Sequence, residues 1–415
     1  MSLRTALGRP FAVARSRLTT RRSRVVAGIL ALVVLLGVVL GVGALAGGDT
    51  ESPVPGSDQR IEVAAGPNDP ARIALDTTLF VPPGGHGPAP AVLLAHGFGG
   101  SKAELRRDAE ALARSGYVVL TYSARGFGSS QGRIALDQPD YEVADARALI
   151  DWLAGRPEVR LDAPGDPRVG VAGASYGGAL SLLTAAYDPR VDAIAPQITW
   201  NDLADSLLPN AAGGGPNEGV FKKMWAGLFF SSGTSPLGTL APADASTGCG
   251  RFTDEVCAIY RRVAVTGKST PQAVELLRRA SPASVSDRIA VPTLLVQGQN
   301  DSLFPLDQAD RTAASVARNG APVEVMWTAG GHDGGTPQTS MVRDRIREWF
   351  DRWLKPAAAP PKGGAAQPAG PFQVTRSGGV DSATRERVLR TADTKGYPGL
   401  NGTRQREVPL VGPEQ

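Results

Sequence analysis

The sequence predicts an α/β protein: a mostly parallel sheet with helices on both faces and a helical insertion near the carboxyl ends of its strands. Three observations predict it. Apolar runs of strand length alternate with helix-patterned segments, and the inner runs are apolar throughout, as in strands covered on both sides. One of them, VGVAGASYGG (169–178), stops at a serine set between glycines and passes straight into a helical pattern.

In chain order, residues 1–24 carry seven arginines and no acidic residue. Residues 25–46 are uncharged and apolar, about 33 Å as a helix, which matches a hydrocarbon core of about 30 Å. A transmembrane helix is expected there, with the arginine side in the cytoplasm and the bulk of the chain outside. Two fates stay open, a retained anchor or a signal cleaved near Ala44-Leu45-Ala46. Residues 47–60 read as a Gly/Pro/Ser tether.

Strands are expected at 72–81, 91–96, 117–122, 169–174, 191–197, 292–298 and 322–327, with helical patterns at 102–116, 141–155, 176–187, 306–318 and 339–354. The last places Val342, Ile346, Trp349, Phe350 and Trp353 on one stripe. Together, 61–355 form the expected α/β domain. Between about 200 and 290 the strand signal gives way to Gly-rich turns and helical pieces, the position for a cap. Residues 356–371 are a Pro/Gly linker by composition, and the remainder to 415 has too few apolar residues for a core of its own.

Composition narrows the function. The net charge of +4 comes largely from the first 24 residues, so no basic patch for nucleic acid is supported. Cys249 and Cys257 are the only cysteines. Outside a membrane they are expected to form a disulfide, the alternative being two thiols; two ligands alone rarely hold zinc. GFGGSK (97–102) lacks the spacing of a phosphate-binding loop, ARGFGSSQG (124–132) lacks the third glycine of a dinucleotide loop, and Asn401-Gly402-Thr403 is a sequon by pattern only. The oligomeric state is left open.

Gly173-Ala174-Ser175-Tyr176-Gly177 fits G-x-S-x-G between a strand and a helix, the setting in which a sharp turn presents a nucleophilic hydroxyl. Such a hydroxyl needs a base. Of the three histidines, His86 lies in a Pro/Gly loop, His96 ends a strand, and His332 alone follows Ser175. The order nucleophile, acid, base makes His332 the candidate base. Asp301, after the apolar run 292–298, is the candidate acid; Asp307 lies inside the next helix and Asp333 is too close to His332 in sequence. The backbone N–H groups of Tyr176 and Phe98 are the candidate oxyanion donors, Phe98 standing in the His96-Gly97-Phe98-Gly99-Gly100 loop.

With these residues in place the chain resembles the α/β-hydrolase superfamily, and more narrowly the X-Pro dipeptidyl-peptidase and cocaine-esterase-type hydrolases, over about residues 61–355. The likeness rests on YSARGFGSSQG (122–132), similar to that family's R-G-x-G-x-S-x-G turn, on DARALIDWLAG (145–155), on the tyrosine of GASYGG, and on QGQNDSLFP followed by GGHDGG. It implies hydrolysis of a small ester or peptide through an acyl-enzyme on Ser175, without a cofactor. Two departures stand out. Many members use a tyrosine hydroxyl as second oxyanion donor, which Phe98 lacks, and they carry a C-terminal β-sandwich, of which only 371–390 is left to correspond to the beginning. An exopeptidase would need a carboxylate for the substrate ammonium, for which Asp202, Asp205 and Glu218 are candidates. An esterase would need an apolar pocket, for which Trp200, Trp225, Phe229 and Phe230 are candidates. A non-catalytic binding module on the same fold is the alternative from another class.

Overall fold

The computed structural model describes residues 52–85, 87–209, 221–234, 249–356, 362–363, 370–385 and 387–401. The expected transmembrane segment, His86 and Glu218 lie outside them. Among the described residues no helix is long and apolar enough to cross a membrane.

The sheet has ten strands in the order β1-β2-β4-β3-β7-β8-β9-β10-β11-β12. These are β1 (Gly56–Ala64), β2 (Arg72–Phe80), β3 (Ala91–Ala95), β4 (Val118–Tyr122), β7 (Val169–Ala174), β8 (Val191–Gln197), β9 (Thr293–Gly298), β10 (Val323–Thr328), β11 (Phe372–Val380) and β12 (Arg387–Thr394). A small hairpin, β5 (Leu161–Ala163) with β6 (Asp166–Pro167), stands apart. The strands β4-β3-β7-β8-β9-β10-β11 run parallel. At the edges, β1 and β2 run antiparallel on one side and β12 on the other. Strands β3, β4 and β9 are buried at every residue, which requires cover on both faces.

Helices provide that cover. On one face α2 (Ala144–Ala154), α3 (Tyr176–Tyr187) and α8 (Leu306–Arg318) bury Leu149, Leu180 and Val316. On the other, α1 (Arg106–Arg114) and α9 (Thr339–Leu354) bury Leu112, Val342, Ile346, Trp349 and Phe350. In α9 the stripe runs on to Leu354, while Trp353 is only partly buried beside it.

Between β8 and β9 the chain forms the insertion: α4 (Leu203–Leu207), α5 (Lys223–Thr234), α6 (Asp254–Thr266) and α7 (Pro271–Arg279). Polar side chains start three of these helices. Asp202 accepts the Ala204 and Asp205 N–H groups, Thr253 that of Val256, and Thr270 that of Ala273. A disulfide joins Cys249 to Cys257, with the Cα atoms 5.5 Å apart, and ties the segment before α6 to its first turn.

Two expectations need correcting at the sheet edges. The tether assigned to 47–60 already enters β1 at Gly56, with Ile61 and Val63 buried. The residues after the linker, assigned to a tail, supply β11 and β12. Phe372 is buried against Trp327 and Tyr397, at ring-centroid distances of 5.0 Å each. Edge strands with polar, exposed residues borrow their order from a neighbour's main chain, so neither carries the apolar run of an inner strand.

Candidate active site

The site is built where β7 turns into α3. Ser175 has φ 55° and ψ −113°, a conformation that side-chain-bearing residues rarely adopt. Close packing enforces it. A Cβ on Gly173 would come 2.5 Å from the Ala95 carbonyl oxygen, and one on Gly177 would collide with the same carbonyl. The Ser175 N–H donates to Gln197 O at 2.8 Å, and Thr199 Oγ1 donates to Ser175 O at 2.8 Å, so the turn is held from β8 as well.

The loops after β9 and β10 bring the other two residues to this serine. His332 Nε2 lies 2.9 Å from Ser175 Oγ, and His332 Nδ1 lies 2.6 Å from Asp301 Oδ2. A carboxylate only accepts hydrogen bonds, so Nδ1 carries the ring hydrogen and Nε2 is left to accept the serine hydroxyl. Asp301 is fixed in turn: its Oδ1 accepts the Phe304 N–H at 2.8 Å and its side chain has no exposed surface. This relay can pass a hydroxyl proton to the imidazole while the aspartate stabilises the resulting cation.

The rejected acids are occupied elsewhere. Asp333 accepts the Ser302 hydroxyl at 2.9 Å, and Asp307 pairs with Arg311 at 2.8 Å. His96 is buried between β3 and β4. Its Nε2 accepts the Ala124 N–H at 2.9 Å, which makes Nδ1 the donor to Gly97 O at 2.7 Å, and burial lowers its pKa to about 4. It is a neutral cross-link between strand ends.

The two candidate oxyanion residues flank the serine. Tyr176 opens α3, where the first N–H groups of a helix lack intrahelical acceptors. The loop carrying Phe98 lies against the turn, since a Cβ on Gly97 would sit 3.8 Å from the Ser175 Cβ.

The insertion roofs the site. Trp225 and Phe304 meet the His332 ring edge-on, with centroids 6.1 and 5.2 Å away. Phe229 packs on Phe98 at 5.2 Å and, with Phe230, lines an apolar cavity of about 90 Å³ closed by Leu136, Phe252 and Leu276. Trp200 is a packing residue instead, its indole N–H donating to Ala280 O at 2.9 Å. Neither described ammonium candidate is free: Asp202 caps α4 and Asp205 pairs with Arg311 at 2.7 Å.

Sequence reasoning alone does not single out several other residues that shape the site. Lys222 Nζ donates to Ser302 O at 2.5 Å and Leu303 O at 3.1 Å, pinning α5 to the Asp301 loop. Lys102 is tied to Asp58 at 2.8 Å and Asp76 at 2.9 Å, a structural role that leaves no phosphate site in GFGGSK. Within ARGFGSSQG, buried Arg125 makes a two-pronged bond to Asp145 at 2.6 and 2.7 Å and caps the Ala64 and Ala65 carbonyls. Tyr176 OH donates to Glu142 Oε1 at 3.1 Å. Glu142 and Asp145 fall three residues apart in register with apolar Leu149, and two acids on an apolar stripe are a signal the sequence does contain.

Known proteins share this architecture. The solved acylaminoacyl peptidase of Pyrococcus horikoshii matches with a TM-score of 0.50 at 17% identity, over 74% of this chain and 43% of that one, which is a likeness of fold. The quorum-quenching protein AidA of Acinetobacter baumannii is 28% identical over 270 residues, 62% of this chain and 84% of that protein. The bis(hydroxyethyl) terephthalate hydrolase of Streptomyces coelicolor is 30% identical over 195 residues, 44% of this chain and 59% of that protein. The family model described as X-Pro dipeptidyl-peptidase (S15 family) matches residues 71–334, well over half of the 415. With the α/β-hydrolase fold established and that match across its catalytic sheet, the chain is a hydrolase belonging to the X-Pro dipeptidyl-peptidase (S15) family.

Proposed function

We propose that the protein is a serine hydrolase that cleaves ester or amide bonds through an acyl-enzyme on Ser175. Ser175 Oγ attacks the substrate carbonyl carbon as its proton moves to His332 Nε2, and Asp301 holds the imidazolium. The N–H groups of Tyr176 and Phe98 donate to the oxyanion. His332 then hands the proton to the departing alcohol or amine, and water repeats the sequence to release the acid. The observation that carries the proposal is the 2.9 Å and 2.6 Å relay through His332, assembled from residues 157 and 31 positions apart. Replacing Ser175 by alanine is expected to abolish labelling by a fluorophosphonate probe, and undiminished labelling would refute the assignment.

Within that chemistry the surroundings of the relay favour esters. Asp202 and Asp205 are both engaged in the fold, and the cavity beside Phe229 is lined by apolar side chains. Family membership supports the second reading, release of an X-Pro dipeptide from a peptide amine. Hydrolysis of p-nitrophenyl acetate against an X-Pro chromogenic amide separates the two. The location proposed is the outer face of a cell membrane, argued from the seven arginines before the apolar run 25–46. Recovery of the full-length chain in the membrane fraction after a carbonate wash tests the tether.

A further inference from the structure

Tyr176 does more than follow the nucleophile, because its side chain is the meeting point of two networks. One is aromatic. Its ring meets Phe98 edge-on at 5.6 Å and Phe127 at 5.7 Å, and Phe98 meets Phe127 at 5.0 Å, so the residues offering the two oxyanion donors are wedged in one triangle of rings. The other is polar. The buried hydroxyl donates to Glu142 Oε1 at 3.1 Å and accepts the Asp137 N–H at 3.1 Å, while the same Glu142 oxygen accepts the Ala135 N–H at 2.7 Å.

The segment that receives this anchor is strained. Leu136 and Asp137 have φ of 65° and 56°, left-handed values at two consecutive residues that are not glycine. Such values are unfavourable for residues that carry a side chain and persist only where the surroundings over-determine them. The Glu142 carboxylate, bonded at once to Ala135 and Tyr176, supplies such a constraint from the turn that leads into α2. Burial leaves the Tyr176 hydroxyl no route to a substrate.

We propose that Glu142 and the Tyr176 hydroxyl form an anchor that positions the oxyanion donors. This rests on Ser175 being the nucleophile, and it makes Glu142 a positioning residue: it acts on the reaction only by fixing where the Tyr176 and Phe98 N–H groups point. Burial supports a further point about its form. It pushes Glu142 up to about 7 and Asp137 well above the usual carboxylate range, and among the described residues Glu142 Oε2 and both Asp137 oxygens lack hydrogen-bond partners. What the anchor requires at Glu142 is therefore an acceptor oxygen, and a neutral amide provides one.

The test uses the full chain and a fluorophosphonate probe, whose attack by Ser175 builds negative charge in the same hole. Misplacing catalytic groups by a fraction of an ångström to 1 Å costs up to about 10²-fold, so Tyr176→Phe is expected to lower kinact by about tenfold with KI unchanged. Glu142→Leu should do the same. Glu142→Gln should restore the rate to within about twofold of wild type, since it keeps the acceptor oxygen that holds the donors in place. A merely packed tyrosine would leave kinact alone. The proposal is overturned if Tyr176→Phe reacts at the wild-type kinact, if KI rises in step with the loss, or if Glu142→Gln is as slow as Glu142→Leu. Should Glu142→Leu not fold, Tyr176→Phe, which removes one oxygen, decides alone. Failure of the wild type to label at all would instead sink the nucleophile assignment, and Ser175→Ala tells the two failures apart.

Discussion

Asp301→Asn separates the role of charge and tautomer from that of shape. The native carboxylate uses both oxygens as acceptors: Oδ2 faces His332 Nδ1 at 2.6 Å and the His332 N–H at 3.3 Å, and Oδ1 faces the Phe304 N–H at 2.8 Å. An amide has one acceptor. If its oxygen stays toward Phe304, its NH₂ faces Nδ1, the ring proton moves to Nε2, and the imidazole can no longer receive the Ser175 proton. If the amide flips, its NH₂ confronts the Phe304 N–H and the loop that carries residue 301 is pushed away. The first outcome disables the base with the shape of the site nearly kept, the second by displacing residue 301 from the ring, and the expected loss in kcat is about 10⁴-fold, or about 5.4 kcal/mol of barrier at about 1.36 kcal/mol per decade. The assay is p-nitrophenyl acetate hydrolysis beside fluorophosphonate labelling, with a thermal melt to establish that the variant is folded. A folded Asn variant within about tenfold of wild type would contradict the relay.

Two further outcomes follow from the buried charges. Arg125→Met strands the Asp145 carboxylate, whose residue is 1% exposed, and should cost about 3–5 kcal/mol in urea unfolding. Adding Asp145→Leu should recover most of that loss, and a double variant no better than the single would count against the pairing. Burial raises Glu142 to about 7, so the folded state holds a proton there that the unfolded chain gives up. The stability this contributes is present at low pH and is lost as pH rises through the folded value. Between about pH 5 and pH 8 the wild type should therefore lose stability relative to Glu142→Gln, and a difference that stays flat or grows the other way would be incompatible with the buried acid.

The parts legible in the sequence are those whose own residues carry a pattern. An inner strand announces itself because each of its side chains meets an apolar helix, so 91–96, 117–122 and 292–298 can be read almost to the residue. The serine turn is equally plain, since its glycines answer to atoms a few residues away or on the adjoining strand. His332 and Asp301 follow from chain order and from the scarcity of histidines. Edge strands β1 and β12, and β11 beside the latter, escape such a reading because many of their residues face water and their order comes from main-chain pairing. Glu142, Asp145 and Arg125 are hidden for a different reason. In sequence they are charged residues whose only mark is the apolar stripe that Glu142 and Asp145 share with Leu149; the packing of this segment against β1 and α3 shuts them away from solvent and turns them into partners.

The C-terminal hairpin has a consequence for how the chain can be shortened. β11 covers the outer side of β10, the strand that leads to His332, and the side-chain amide of Gln299, which precedes Asp301 in the same loop, donates to Thr375 O at 2.8 Å. Cutting the chain in the linker would bare the main-chain donors and acceptors of β10 as a template on which other copies could stack. A trimmed chain would thus exchange solubility for self-association beginning next door to Asp301 and His332.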